Sequence, residues 1–502
     1  MDLEKLDNKV SSTILGKTVL SHELLAFFYG TFLVLYELII VDNAVSWMHE
    51  ILILWAGLIF LYDLLIRKIW KRIPFYIFLV AFAGSACITT LINIRTGLVA
   101  NVKALILTIL PLVAFLPTCF VHDEPKTKKK SFIISMLGAE IVMFIAVLIA
   151  LYMYFMRMSI PVSYNGGLRN IGINYYYLND PTSSVLLYGL FRDTNHAAGF
   201  ALCSLAYSII LLDFSMKKGF ERKWKNVLGS IFAILNIVVQ ICYFPLANSR
   251  GGWLCLLIVA FILGFIAFYV KTKDKVKLRC LISIAIGILV SVCVYFCFYG
   301  VRFSMSRLSY IITNYNDTDI NEDSPETNAP FFVEMDNSES VVVDKKIEPP
   351  VDQFKKVNSS FAAGRLDIWK DTFSLWKHFS IMGINSCNSG YYARIHMPDS
   401  ILAQDKAIHN SYFDLLLDYG IVGFILLVTY YGLCGFYVLK NMFIGKMKVD
   451  VTSLSLLGGI ILNAGVVFLL SCNFINTTAM YFFLLMFLSC ILSLSPEFQK
   501  KK

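Results

Sequence analysis

His409-Asn410-Ser411-Tyr412 runs on through Leu417, Asp418, Tyr419 and Gly420 to Gly423. The long hydrophilic segment 301–411 closes on these residues, and an apolar run follows. An imidazole at that boundary can accept a proton at neutral pH, because its unperturbed pKa is about 6.5. His409 is the first candidate general base. The alternative is a polar cap on the next helix, for which Asn410 and Ser411 are equally suited. Arg250 lies in Asn248-Ser249-Arg250-Gly251-Gly252-Trp253, in a very short link between two apolar runs. Its planar guanidinium could clamp a phosphate, with two glycines leaving room for a bulky ligand. It could instead snorkel to headgroups.

Arg365 follows Gly364 and opens an amphipathic stretch, so it is either a second anion ligand or a headgroup contact. Arg192, in Phe191-Arg192-Asp193-Thr194-Asn195-His196, is a weaker substrate contact, with Asp193 beside it as a possible ion-pair partner. Asp414 and Asp418 sit near a helix start and read as dipole compensation. Acidic pairs such as Glu322/Asp323 lie in a segment with nothing to hold them.

The elements that must position these groups are membrane spans. Apolar residues make up 57% of the 502 and charged residues 16%, where a soluble chain carries about 25% charged. Twelve apolar runs are long enough to cross a bilayer, near 21–41, 47–66, 73–93, 98–121, 131–156, 196–214, 226–246, 252–270, 278–300, 417–439, 452–471 and 474–494. Pro111 and Pro117 should kink the fourth. The expectation is an all-α, polytopic helical bundle of about twelve spans. A large extracytoplasmic loop separates spans nine and ten.

Charge fixes the expected orientation. Every even-numbered link is basic, from Arg67, Lys68, Lys71 and Arg72 after the second run to Lys440, Lys446 and Lys448 after the tenth. The odd links hold few cations. Both termini are then cytoplasmic: residues 1–20 form an N-terminal segment, 21–300 carry spans one to nine, 412–494 spans ten to twelve, and 495–502 a tail. Residues 1–20 are polar and mixed in charge, which does not fit a cleavable signal. The net charge of +9 therefore reflects topology, and no nucleic-acid partner is expected. Eleven of the twelve cysteines lie in or beside apolar runs, with Cys387 alone in the long loop. No CxxC pair or Cys/His ligand spacing occurs, so no disulfide framework, metal site or cofactor is expected.

Two odd segments are long. Residues 157–195 carry Tyr164, Arg169 and Tyr175 to Tyr177 ahead of Arg192. Residues 301–411 divide into an acidic, Asn/Ser/Pro-rich insert at 313–350, whose composition cannot bury a core, and an ordered catalytic segment at 359–411. In the latter, Leu366, Trp369, Phe373 and Trp376, extended by Phe379, make an apolar stripe at helical spacing. Such a helix lies in the membrane surface or caps the bundle.

The series Asn248-Ser249-Arg250-Gly251, Gly364-Arg365 with Trp369, Gly383, then His409-Asn410 with Gly420 and Gly423 resembles the O-antigen ligase and polymerase superfamily of bacterial membrane glycosyltransferases. The similarity covers about 196–494 in order, spacing and sidedness, including the Asn195 stretch. The first five spans match only as hydrophobic runs, and the acidic insert departs from the compact pattern. The resemblance implies transfer of a glycan from an undecaprenyl-diphosphate donor to a glycan acceptor hydroxyl, outside the bacterial cytoplasmic membrane. Arg250 and Arg365 would hold the diphosphate and His409 would serve the acceptor. It also implies the lipid bilayer, a flippase and a chain-length regulator as partners.

The residue chemistry fits independently. A lipid diphosphate carries its charge at headgroup level, and two arginines would stabilise the leaving group without a metal. Attack opposite the diphosphate would invert the anomeric carbon, since a retaining route wants a held nucleophilic carboxylate. A repeat-unit polymerase is the first expectation and a ligase onto a lipid or protein anchor the second. A transporter or flippase for lipid-linked sugars is the alternative of another class. Against it, the candidate residues fall on one face and not at the midplane.

Overall fold

The computed structural model describes residues 13–45, 47–164, 167–175, 185–272, 278–318, 365–404, 408, 410–469 and 478–495. Each of the twelve apolar runs is a helix. In order they are α1 (His22–Tyr36), α2 (Met48–Tyr62), α3 (Tyr76–Ile92), α4 (Leu98–Phe115), α5 (Pro125–Phe155), α6 (Thr194–Met216), α7 (Lys223–Ala247), α8 (Arg250–Lys271) and α9 (Arg279–Thr318). Two short helices, α10 (Arg365–Trp376) and α11 (Ser389–His396), precede α12 (Ser411–Phe443), α13 (Val451–Leu469) and α14 (Ala479–Ser493). Among the described residues, eight helices are long and apolar enough to cross a membrane, while α1, α3, α13 and α14 are shorter apolar helices. The protein is an all-α polytopic membrane bundle with one small sheet. α4 runs through Pro111 and stops ahead of Pro117, where a 3-10 turn, Thr118–Val121, takes over.

What faces outward and inward is the pattern of a chain dissolved in lipid. Leu54, Leu58 and Leu61 on α2, Ile231, Ile234 and Leu235 on α7, and Leu281, Ile288 and Leu289 on α9 are all exposed. The same helices keep polar side chains inside. Asn236 and Gln240 of α7 are buried, and Asn236 meets Glu140 of α5 and Ser204 and Ser208 of α6. The Ser204 hydroxyl and the Asn236 amide both donate to the Glu140 carboxyl. Asn236 also donates to Ser204 at 3.0 Å and Ser208 at 2.8 Å, and Gln240 donates to Asn236 at 2.9 Å. With no water to satisfy them, polar groups at this depth must satisfy one another, so the cluster ties three helices together. α14 is buried along its whole length, as a helix apolar on every face must be. α1, α4, α5, α6, α12 and α13 pack around it.

A three-stranded antiparallel sheet follows α5: β1 (Ser159–Tyr164), β2 (Gly167–Tyr175) and β3 (Val185–Gly189), in the order β1-β2-β3. The sequence reading left 157–195 without an element. Ile171 and Ile173 alternate at strand spacing and are buried with Leu187, and β3 packs on α5, α6 and α7. Gly172, with φ of +89°, takes the register shift beside Ile173.

The cap formed by residues 365–408 has a core of its own, built from Ile368, Leu375, Ile384, Ala393, Leu402, Ile408 and Leu417. This corrects the expected face of α10. Ile368, Thr372 and Leu375 are buried, whereas Leu366 is 61% and Phe373 43% exposed. Trp369 and Trp376 are half-buried. α10 carries two apolar stripes, and the one that packs is the one that meets Leu417 of α12.

The cap is locked into the bundle at Gly420, where α12 breaks (φ 64°, ψ −170°). The break frees backbone groups, and residues 380–385 take them up. Ile384 and Asn385 donate to the Leu417 and Asp418 carbonyls at 3.1 and 2.8 Å, and Ile421 donates to the Ser380 carbonyl at 2.8 Å. A methyl on Gly420 would lie 2.2 Å from the Ile381 oxygen, so only glycine permits the crossing. Side chains from α3 and α4 fasten the same loop. Asn388 donates to Asn101 at 2.9 Å, Tyr392 to Asn93 at 2.8 Å and Asn385 to Thr90 at 3.1 Å.

Candidate functional site

Arg250 is the first residue of α8. Pro245 lies in the last turn of α7, where it lacks an amide to donate, and Asn248 adopts the left-handed conformation (φ 53°) that reverses the chain in two residues. Ser249 caps α8, its Oγ accepting from the Gly252 amide at 3.0 Å. The same hydroxyl donates to Asn195 Oδ1 at 2.8 Å, which ties the start of α8 to the start of α6. Arg250 itself is exposed and makes no hydrogen bond or ion pair with the described residues. A guanidinium at a helix N-terminus, held by its backbone and left open at its tip, is available to an anion.

The turn has a support that sequence reasoning missed. Arg302 of α9 is 9% exposed and donates to Asn248 Oδ1 at 3.0 Å. One helical turn below it, Phe298 packs edge-on against Phe244 of α7, ring centroids 5.4 Å apart, and near Trp253 of α8. The available signal was the one used for Arg250: an arginine just past an apolar run, in one of the links where cations are scarce. α9 continues as a helix past residue 300 to Thr318.

Arg192 stands in the bend before α6, with Asp193 as N-cap through its bond to the Asn195 amide. Its guanidinium carbon lies 4.5 Å from the centre of the Tyr36 ring. Beside it Glu37 and His196 are paired at 3.3 Å. Neither residue was singled out from sequence; they meet only because the end of α1 pairs with Leu190 and Phe191.

Arg365 is the first residue of α10 and half-buried. One turn on, Trp369 Nε1 donates to the Ile408 carbonyl at 3.2 Å and its ring lies 5.6 Å from Phe413. α10 is thus docked on the chain immediately before and after position 409. His409 itself lies outside the described residues. Asn410, wholly buried, caps α12: its Oδ1 accepts from the Tyr412 and Phe413 amides at 3.0 and 3.4 Å. Asp414 is half-buried and Asp418 buried on the first turns of α12.

A cavity of about 750 Å³ lies between α8, α12 and α13, and none of Arg192, Arg250 and Arg365 lines it. Leu254, Cys255 and Ile258 of α8 form one wall, Tyr412, Phe413, Leu416 and Phe424 of α12 another, and Ile461, Ala464 and Gly465 of α13 the third, with Asn410 completing the lining. It begins one turn below Arg250 on α8. Apart from Asn410 and the Tyr412 hydroxyl, its side chains are apolar. Such a groove suits a long hydrocarbon.

Residues 235–428 match the family model described as O-antigen ligase. The match runs from α7 into α12 and includes Arg250, Arg365 and His409. A search of curated proteins returns no match. Over residues 235–428 the chain is similar to the O-antigen ligase family.

Proposed function

We propose that the protein is an inverting glycosyltransferase of the bacterial cytoplasmic membrane that extends a polysaccharide by its repeat units. The donor is a glycan on undecaprenyl diphosphate and the acceptor a sugar hydroxyl. The observation that carries this reading is the apolar groove between α8, α12 and α13, which starts at Leu254, one helical turn from Arg250, and is lined by Asn410, the residue after His409. A polyisoprenoid tail fills such a groove, and its head then lies at the level of the arginine.

In this reading Arg250 and Arg365 hold the diphosphate, with Arg192 a further contact. The acceptor oxygen attacks the anomeric carbon from the side opposite the diphosphate. The carbon–oxygen bond to phosphate breaks, the lipid diphosphate leaves as an anion between the guanidiniums, and the acceptor proton passes to His409. The configuration inverts. The reaction needs no metal, because the arginines supply the charge. Both termini are cytoplasmic, the cap is extracytoplasmic, and a flippase and a chain-length regulator are the natural partners.

The test uses purified protein in nanodiscs with a polyprenyl-diphosphate oligosaccharide as sole substrate. A ladder of longer lipid-linked products supports the polymerase. His409→Ala should abolish the ladder while donor binding persists, and a fully active His409→Ala protein refutes the base. A ligase is the second reading, favoured by the description of the matched family. It predicts no ladder, but transfer once a lipid or protein acceptor is added. Movement of labelled lipid with neither ladder nor transfer would point to a transporter.

A further inference from the structure

Asn410 does more than cap a helix. Its side chain is wholly buried, its Oδ1 accepts from two backbone amides of α12, and its Nδ2 has no hydrogen-bond partner among the described residues. The two bonds fix which end of the amide is oxygen, so the orphan is the NH2 group. An unpaired buried donor is costly. The cap alone does not require it, because aspartate and serine cap helices as well as asparagine and bring no NH2. Asn410 also lines the apolar groove, whose other lining side chains, the Tyr412 hydroxyl and the weakly polar Cys255 thiol apart, are hydrocarbon.

We infer that the Asn410 amide is a substrate contact that donates to the phosphate joined directly to the polyprenyl chain. The inference rests on the polyprenyl-diphosphate reading and deepens it. With the tail in the groove, the first polar atoms to emerge are the oxygens of the lipid-proximal phosphate. The donor closest to the apolar walls meets that phosphate, while the open guanidinium of Arg250 reaches farther along the head. Asn410 therefore recognises what a polyprenyl monophosphate and a polyprenyl diphosphate share.

The probes are undecaprenyl monophosphate and undecaprenyl diphosphate, titrated against the full-length protein in nanodiscs. The variants are Asn410→Ser and Asn410→Asp. Both keep a capping oxygen and lose the NH2 group, and the serine hydroxyl, shorter and held at the cap, does not take its place, so thermal melting should stay close to wild type. Asn410→Ser should weaken both ligands by a similar factor, roughly 10- to 100-fold for a hydrogen bond to a charged group. Asn410→Asp should weaken both further, because it sets a carboxylate against the phosphate. Arg250→Ala should weaken the diphosphate more than the monophosphate. If wild type binds both ligands and both Asn410 variants bind them as tightly, the inference is overturned and the donor reading stands. If wild type binds neither, both fail together.

Discussion

Arg302 of α9 donates to the side-chain oxygen of Asn248, 3.0 Å away, and so braces the left-handed turn that presents Arg250. The bond crosses from one hairpin partner to another and has no role in the fold of α9 itself. Arg302→Met should lower activity with the lipid donor by about tenfold, the scale of one hydrogen bond from a charged group. Asn248→Gly keeps the turn but removes the acceptor, and should give a similar loss. The double variant should lose no more than either single one in steady-state assays. Additive losses would mean that the two residues act separately.

Gly420 tolerates no side chain. Its φ of 64° with ψ near −170° is a region that essentially only glycine enters, and a Cβ would meet the Ile381 carbonyl at 2.2 Å. Gly420→Ala should destabilise the junction of cap and bundle by about 1–3 kcal/mol from backbone strain alone. Limited proteolysis should then cut between residues 377 and 404 at protease concentrations that spare wild type.

The cluster around Glu140 should behave as one unit. Asn236→Leu removes a donor to Glu140, Ser204 and Ser208 and an acceptor of Gln240. The expected loss is about 1–2 kcal/mol in mixed-micelle unfolding, near the top of the range for polar contacts between membrane helices. Ser204→Ala in the Asn236→Leu background should cost less than Ser204→Ala alone.

Cys387 reports which side of the membrane the cap occupies. It is exposed, and it is the one cysteine in the cap. A membrane-impermeant maleimide should label it in intact cells whose outer barrier is open, and Cys387→Ser should abolish that label. The residue is exposed but its sulfur is partly desolvated, and that desolvation, aided by the nearby Asp418, pushes the thiol up despite an opposing local hydrogen bond. A raised thiol holds less thiolate at neutral pH, so the labelling rate should climb steeply as pH rises from 7 to 9. A rate that is flat across that interval contradicts the assignment.

The spans were legible because a run of apolar side chains long enough to cross lipid has few other uses. Arg250 was singled out for the converse reason, as a cation where hydrophobicity and charge asymmetry argue against one, and Arg365 for its place at the start of an amphipathic stretch. Arg302 offered the same signal as Arg250, yet its partner Asn248 lies in another element and no local pattern joins them. The break at Gly420 was hidden likewise, since the groups that satisfy it belong to residues 380–385. Period-two alternation at Ile171 and Ile173 could have announced the sheet, but it spans too few residues to compete with the helical signal on either side. For α10, spacing allowed two buried stripes, and only the position of Leu417 selects between them.

The exchange of backbone bonds at Gly420 bears on how the chain is made. Synthesis runs from N- to C-terminus, so residues 380–385 emerge before the carbonyls of Leu417 and Asp418 and the amide of Ile421 that they will meet. A broken apolar helix entering lipid by itself would carry those groups bare. Here the complementary segment has already been made when the break arrives, so the bonds that satisfy the break lie within reach of the chain preceding it.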